Sequence, residues 1–166
     1  DLLAWFEEHA VPKSKRPRPI AVALALAHVY LYRLGRGTLR AGLWKELRTA
    51  LLERGNWSPS DDKALREALG YEGLFEPQGF ETVVATVQRK WAGRFDVGDG
   101  VAMNDALTEN LFVTTVCVLN RIPVFVVGKP GTSKTLTLQV IASNLLGAQS
   151  PRRFWARFAS VSVVPY

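Results

Sequence analysis

Gly128, Gly131, Lys134 and Thr135 stand in the register of a phosphate-binding loop, within Gly128-Lys129-Pro130-Gly131-Thr132-Ser133-Lys134-Thr135. Each residue type has a job in that chemistry. Backbone N–H groups at a helix start are unpaired donors at a positive dipole end, so they hold anions. The amides of residues 131–135 would cradle phosphates, Lys134 would reach the terminal phosphates as a point charge, and the Thr135 hydroxyl would sit on Mg²⁺. The nucleotide-binding set on this reading is Gly128, Pro130, Gly131, Thr132, Ser133, Lys134, Thr135 and Leu136. Ser133 departs from the general pattern, which has glycine before the lysine. The competing reading is a chance glycine turn between a strand and a helix.

Such a loop needs a strand in front and a helix behind. Val124, Phe125, Val126 and Val127 form a short β-branched, apolar run that reads as the strand. Leu136, Val140, Ile141 and Leu145 then recur at helical spacing, with Gly147 as the stop. Residues 159–164 alternate and read as a second strand. Asn104 can cap a helix from Asp105 to about Asn120 that delivers the chain to the loop. Hydrolysis also needs an acidic residue at the end of a further apolar strand. None follows the loop, so no catalytic residue is assigned, and the sequence is expected to stop before Walker B.

The earlier half reads as helices without chemistry. Residues 2–9 look like a short helix with Trp5 and Phe6 as packing residues. Residues 11–18 are linker-like, with Pro12, Pro17 and Pro19 blocking regular structure. Residues 20–34 are rich in Ala and Leu and read as a buried helix, on which His28 is a packed histidine. Leu39, Leu43, Leu47 and Leu51 trace the face of another helix. Ser58-Pro59-Ser60-Asp61 makes a capping-box-like start to a helix through Leu65 and Leu69. Phe80, Val83, Val84, Val87 and Trp91 trace a fifth helix. The main boundary is expected in residues 71–79, giving a helical region at 1–75 and a P-loop region at 76–166.

Composition sets limits. The chain has 166 residues, 48% hydrophobic and 22% charged, so it can bury a core. Its single cysteine, Cys117, excludes an internal disulfide framework or a cysteine zinc cluster within this segment. A buried, inert thiol and a cytoplasmic setting fit that usage. The net charge of +6 permits nucleic-acid contact. The tightest basic cluster, Lys13-Ser14-Lys15-Arg16-Pro17-Arg18, reads as a solvated linker. The basic, aromatic segment 150–158 could stack on bases, but a hinge that packs its aromatics is the plainer reading. No run is long and apolar enough for a confident membrane span, and no signal peptide is read at Asp1.

Three stretches together resemble a known family. Asn104-Asp105-Ala106-Leu107-Thr108-Glu109-Asn110-Leu111, Asn120-Arg121-Ile122-Pro123 and the loop itself are similar to the mysterin family, giant E3 ubiquitin ligases with a dynein-like row of AAA+ modules. The family loop has the same G-K-P-G-x-S-K-[ST] form, so Ser133 agrees with it. Ser150-Pro151-Arg152-Arg153-Phe154-Trp155 looks similar too. The resemblance runs from about residue 80 to 166. More vaguely, residues 18–28 resemble the helical lid of a preceding module.

The resemblance implies an α/β P-loop NTPase (AAA+) region preceded by an all-α lid-like region. It implies ATP and Mg²⁺ as ligands, and neighbouring AAA+ modules, a ubiquitin-conjugating enzyme and ubiquitin as partners. Zinc is expected only in parts of the parent chain outside this segment. Two other functions compete: a nucleic-acid-dependent AAA+ motor, and a scaffold module that binds ATP without hydrolysing it. Nucleic acid is not the favoured partner.

Overall fold

A computed structural model describes residues 2–9, 18–34, 37–54, 57–69 and 79–162. The described residues form seven α-helices: α1 Leu2–His9, α2 Arg18–Tyr30, α3 Thr38–Arg54, α4 Pro59–Leu69, α5 Gly79–Ala92, α6 Asp105–Leu119 and α7 Lys134–Asn144. Three short 3₁₀ turns, Leu31–Arg33, Gly147–Gln149 and Trp155–Arg157, complete the regular structure. The chain divides into two compact units between Val87 and Gln88, inside α5. Most of the stretch in which the sequence reading placed the boundary, residues 71–78, lies outside the described residues, as does most of the basic cluster, residues 13–17.

In the first unit α2 packs along α1. Ile20, Ala21, Ala23, Leu24, Ala27 and Leu31 are buried together with Phe6. Alanines at close spacing let the two backbones approach, while Phe6 meets the His28 ring edge-on with centroids 6.0 Å apart. Burial lowers the His28 pKa to about 4, so this imidazole is neutral at pH 7. The leucine face of α3 is buried only at its end: Leu51 is inside, but Leu39 is exposed. Trp44 sets its edge on Phe80, centroids 4.8 Å apart.

The α4 start is the reciprocal cap that its residue types suggest. Ser58 Oγ accepts from the Asp61 N–H at 3.2 Å, and the Asp61 carboxylate accepts from the Ser58 N–H at 3.0 Å. Asp62 is also buried, accepting from Trp57 Nε1 at 3.1 Å and Arg66 Nε at 3.2 Å. The side chains of Leu65 and Leu69 lie outside the described set.

The second unit is built on α6 and α7, which pack against each other. Leu107, Leu111, Phe112, Val116, Val140, Ile141 and Leu145 are buried. Asn104 caps α6 through a 2.8 Å bond from the Leu107 N–H. Its C-terminus ends on Arg121, a non-glycine residue at φ 56°. The Ile122 N–H bonds the Cys117 carbonyl at 2.8 Å and the Arg121 N–H bonds the Val118 carbonyl at 3.1 Å, the paired bonds of a left-handed helix stop.

The two expected strands are absent among the described residues. Residues 123–127 are irregular, with Phe125 91% and Val127 90% exposed. Residues 159–162 are also irregular, and 163–166 lie outside the described residues. A strand is defined by its neighbour: β-branched residues favour the extended form, but only a ladder partner satisfies the backbone groups. Residues 123–127 have no such ladder among the described residues, and in 159–162 the Val161 N–H meets only the Leu145 carbonyl, at 2.8 Å, so the expected α/β layering is not formed among the described residues. No helix among the described residues is long and apolar enough to cross a membrane.

Candidate functional site

The loop at residues 128–136 starts from backbone conformation. Gly131 takes φ 80°, and Ser133 takes φ 58° with ψ 19°. Ser133 therefore adopts the left-handed form for which glycine is the default residue. Gly128 is needed for a different reason: a Cβ there would lie 2.8 Å from Thr132 Oγ1. The loop folds closely enough that Thr132 Oγ1 donates to the Lys129 carbonyl at 2.8 Å.

Helix α7 begins directly on this loop. Ser133 is its N-cap residue and makes no side-chain capping bond. The first intrahelical-type bond is Thr137 N–H to the Ser133 carbonyl at 2.8 Å, reinforced by Thr137 Oγ1 at 2.7 Å. The amides of Lys134, Thr135 and Leu136 precede it and have no acceptor within the helix, which leaves them for an anion.

The Lys134 ammonium lies back over the loop. It donates to the Gly128 carbonyl at 2.7 Å, the Lys129 carbonyl at 2.6 Å and Thr132 Oγ1 at 3.1 Å. One cation is thus held among three oxygens at the mouth of the helix. A phosphate oxygen is a stronger acceptor for it than a neutral carbonyl. Thr135 is exposed in the first turn. The loop thus brings together Gly128, Gly131, Thr132, Ser133 and Lys134. Pro130 is exposed at its tip, and Leu136 is half-buried on α7.

Several supporting residues were not singled out from sequence. Asn110 on α6 donates from Nδ2 to the Thr132 carbonyl at 3.1 Å. Asn144, fully buried at the end of α7, accepts from the Asp96 N–H at 2.8 Å and donates to the Asp96 carbonyl at 2.7 Å. That pair of bonds ties the loop after α5 to α7 across 48 residues. An asparagine inside a helical pattern is the available sequence signal, but its partner cannot be read from spacing.

The basic, aromatic segment packs its rings. Trp155 is fully buried against Phe95, centroids 4.3 Å apart, and donates Nε1 to the Arg94 carbonyl at 2.8 Å. Arg94 and Arg157 lie 4.0 and 4.2 Å from the Phe154 ring centroid. Burial, and then the charge of Arg157, lower the Arg94 pKa. A platform for stacking bases needs free ring faces; here the rings face each other and arginines. Cys117 is buried, and burial raises its pKa, so the thiolate is disfavoured. Among the described residues no three His, Cys, Asp or Glu side chains gather to hold a metal ion.

Residues 100–166, which contain α6, the loop and α7, match the family described as the RNF213 AAA domain. This stretch is thus similar to an AAA segment of the mysterin, or RNF213, family. The chain is 34% identical over 89 residues to the E3 ubiquitin-protein ligase rnf213-beta of Danio rerio, covering 54% of this chain and 2% of that protein. It is 36% identical over 66 residues to the E3 ubiquitin-protein ligase RNF213 of Homo sapiens, covering 40% of this chain and 1% of that protein. To RNF213 of Mus musculus it is 45% identical over 47 residues, covering 28% and 1%. The chain therefore spans only 1–2% of the length of these mysterin relatives. No solved structure matches it.

Proposed function

We propose that this chain is the Mg-ATP-binding start of an AAA+ module in a giant, cytoplasmic E3 ubiquitin ligase. The observation that carries the reading is the loop: two left-handed residues lead into the α7 N-terminus, and Lys134 is held over it by three oxygens. Phosphates would take the place of those oxygens on Lys134, and the amides of residues 131–136 would add fixed dipoles. Thr135 would hold Mg²⁺ together with the phosphates. The residues present suit this ligand, because the first turn of α7 offers donors, a cation and a hydroxyl, with no carboxylate in the loop.

The finer parts of the reading come from the family. Residues 124–127 would become the P-loop strand of an α/β sheet once a neighbouring strand supplies the ladder. The helical first unit would be the lid of a preceding module. Hydrolysis, ubiquitin transfer, the ubiquitin-conjugating enzyme and zinc belong on this reading to other parts of the parent protein. The packed rings of residues 154–158 count against a nucleic-acid motor.

The test is Mg-ATP affinity and turnover of the intact protein beside Lys134→Ala. Binding in the wild type that weakens at least about tenfold in the variant is the expected result, since a hydrogen bond from a charged group contributes about 1.5–3 kcal/mol. Equal affinity in both proteins overturns the reading. Binding with no turnover assigns the module a scaffold role.

A further inference from the structure

Asn110 reaches from α6 to the carbonyl of Thr132, 22 residues along the chain, at 3.1 Å. Thr132 stands between Gly131 and Ser133, both with positive φ. A peptide group in such a turn can flip as a unit, exchanging the directions of its C=O and N–H and reversing the sign of φ at the following residue. For the Thr132–Ser133 peptide, the flip would carry Ser133 out of the left-handed region, a move that favours an L-residue. The observed orientation is thus the one that Ser133 by itself resists.

We propose that Asn110 is a positioning residue for the phosphate-binding loop, holding the Thr132–Ser133 peptide with its carbonyl toward α6 and the Ser133 N–H toward the phosphates. This rests on the nucleotide reading above. The peptide is planar and trans, so its N–H points opposite to its C=O. Fixing the carbonyl on Asn110 therefore aims the Ser133 N–H away from that contact, and this N–H makes no hydrogen bond among the described residues. In the flipped form a carbonyl oxygen would point where a phosphate oxygen has to sit, and the two would repel. With glycine at 133 the left-handed form carries little cost, so the tether would be far less needed. Asn110 thus offsets the serine that replaces the motif's glycine.

The experiment is a double-mutant cycle on Mg-ATP affinity in the intact protein, with Asn110→Ala, Ser133→Gly and both together. Asn110→Ala should weaken Mg-ATP about five- to tenfold, the worth of one hydrogen bond. Adenosine affinity should stay unchanged. The same substitution in the Ser133→Gly protein should cost less than about twofold, a rescue that general loss of packing would not produce. Asn110→Asp keeps the shape but loses the donor, and should weaken Mg-ATP at least as much; it serves if the alanine variant does not fold. Equal losses with serine and glycine at 133, or no loss at all while Lys134→Ala abolishes binding, overturn the role of Asn110 and leave the nucleotide reading standing. If Lys134→Ala binds like wild type, the nucleotide reading fails and this role falls with it.

Discussion

Among the described residues, two non-glycine residues, Arg121 and Ser133, hold left-handed backbone, at φ 56° and 58°. They illustrate different origins of strain. At Arg121 the conformation stops α6 and is rewarded by two backbone hydrogen bonds. At Ser133 it shapes the loop beneath α7. Glycine at 121 would keep both bonds without the Cβ penalty. Arg121→Gly should therefore raise unfolding stability by about 0.5–1 kcal/mol, the left-handed cost less the added entropy of an unfolded glycine. The urea midpoint would show it, and a fall in midpoint would mean that the Arg121 side chain makes compensating contacts. Sequence alone located Ser133, because it interrupts a motif. It did not locate Arg121, because the helix-stop signal is normally a glycine and none is present there.

Among the elements, the helices were legible and the strands were not. Apolar spacing, the Asn104 cap and the Ser58 capping box are local signals, and each reappears as a helix or a cap within a few residues of its expected place. Residues 124–127 carry the local signal for a strand too, but a ladder is a non-local fact. The ties that hold elements together are equally non-local. Asn144 satisfies both backbone groups of Asp96 while being fully buried. Asn144→Leu would keep the volume and leave those groups without their partner. A loss of about 1–3 kcal/mol is expected in urea unfolding of the second unit, since two hydrogen bonds of about 0.5–1.5 kcal/mol each are lost while the exposed Asp96 backbone can turn to water.

In the first unit, α1 and α2 meet at His28, whose folded pKa of about 4 lies below the ordinary histidine value of 6.5. Between those values the unfolded chain binds the proton and the folded chain does not. Stability is full above pH 6.5 and declines as pH falls toward about 4, by up to about 3 kcal/mol. His28→Phe should flatten that slope in a pH series of urea midpoints. A slope that survives the substitution would assign it to carboxylates instead.

At the scale of the whole molecule, the apolar surface matters as much as the core. Phe125 and Val127 are almost fully exposed, in the segment the sequence marks as a strand. Such a run, with backbone groups unpaired, is a template for pairing with another chain. A second copy offers the same run, so the chain should associate with rising concentration. Phe125→Lys would place a charge on that run. Because the Phe125 side chain is 91% exposed, removing it costs the fold little, within about 0.5 kcal/mol. Sedimentation velocity across a concentration series should show self-association of the wild type and a shift toward monomer in the variant, with the urea midpoint unchanged. If the variant associates as the wild type does, the contact lies elsewhere on the surface. If its midpoint falls with the association, Phe125 contributes to the core of a pair rather than to an exposed edge.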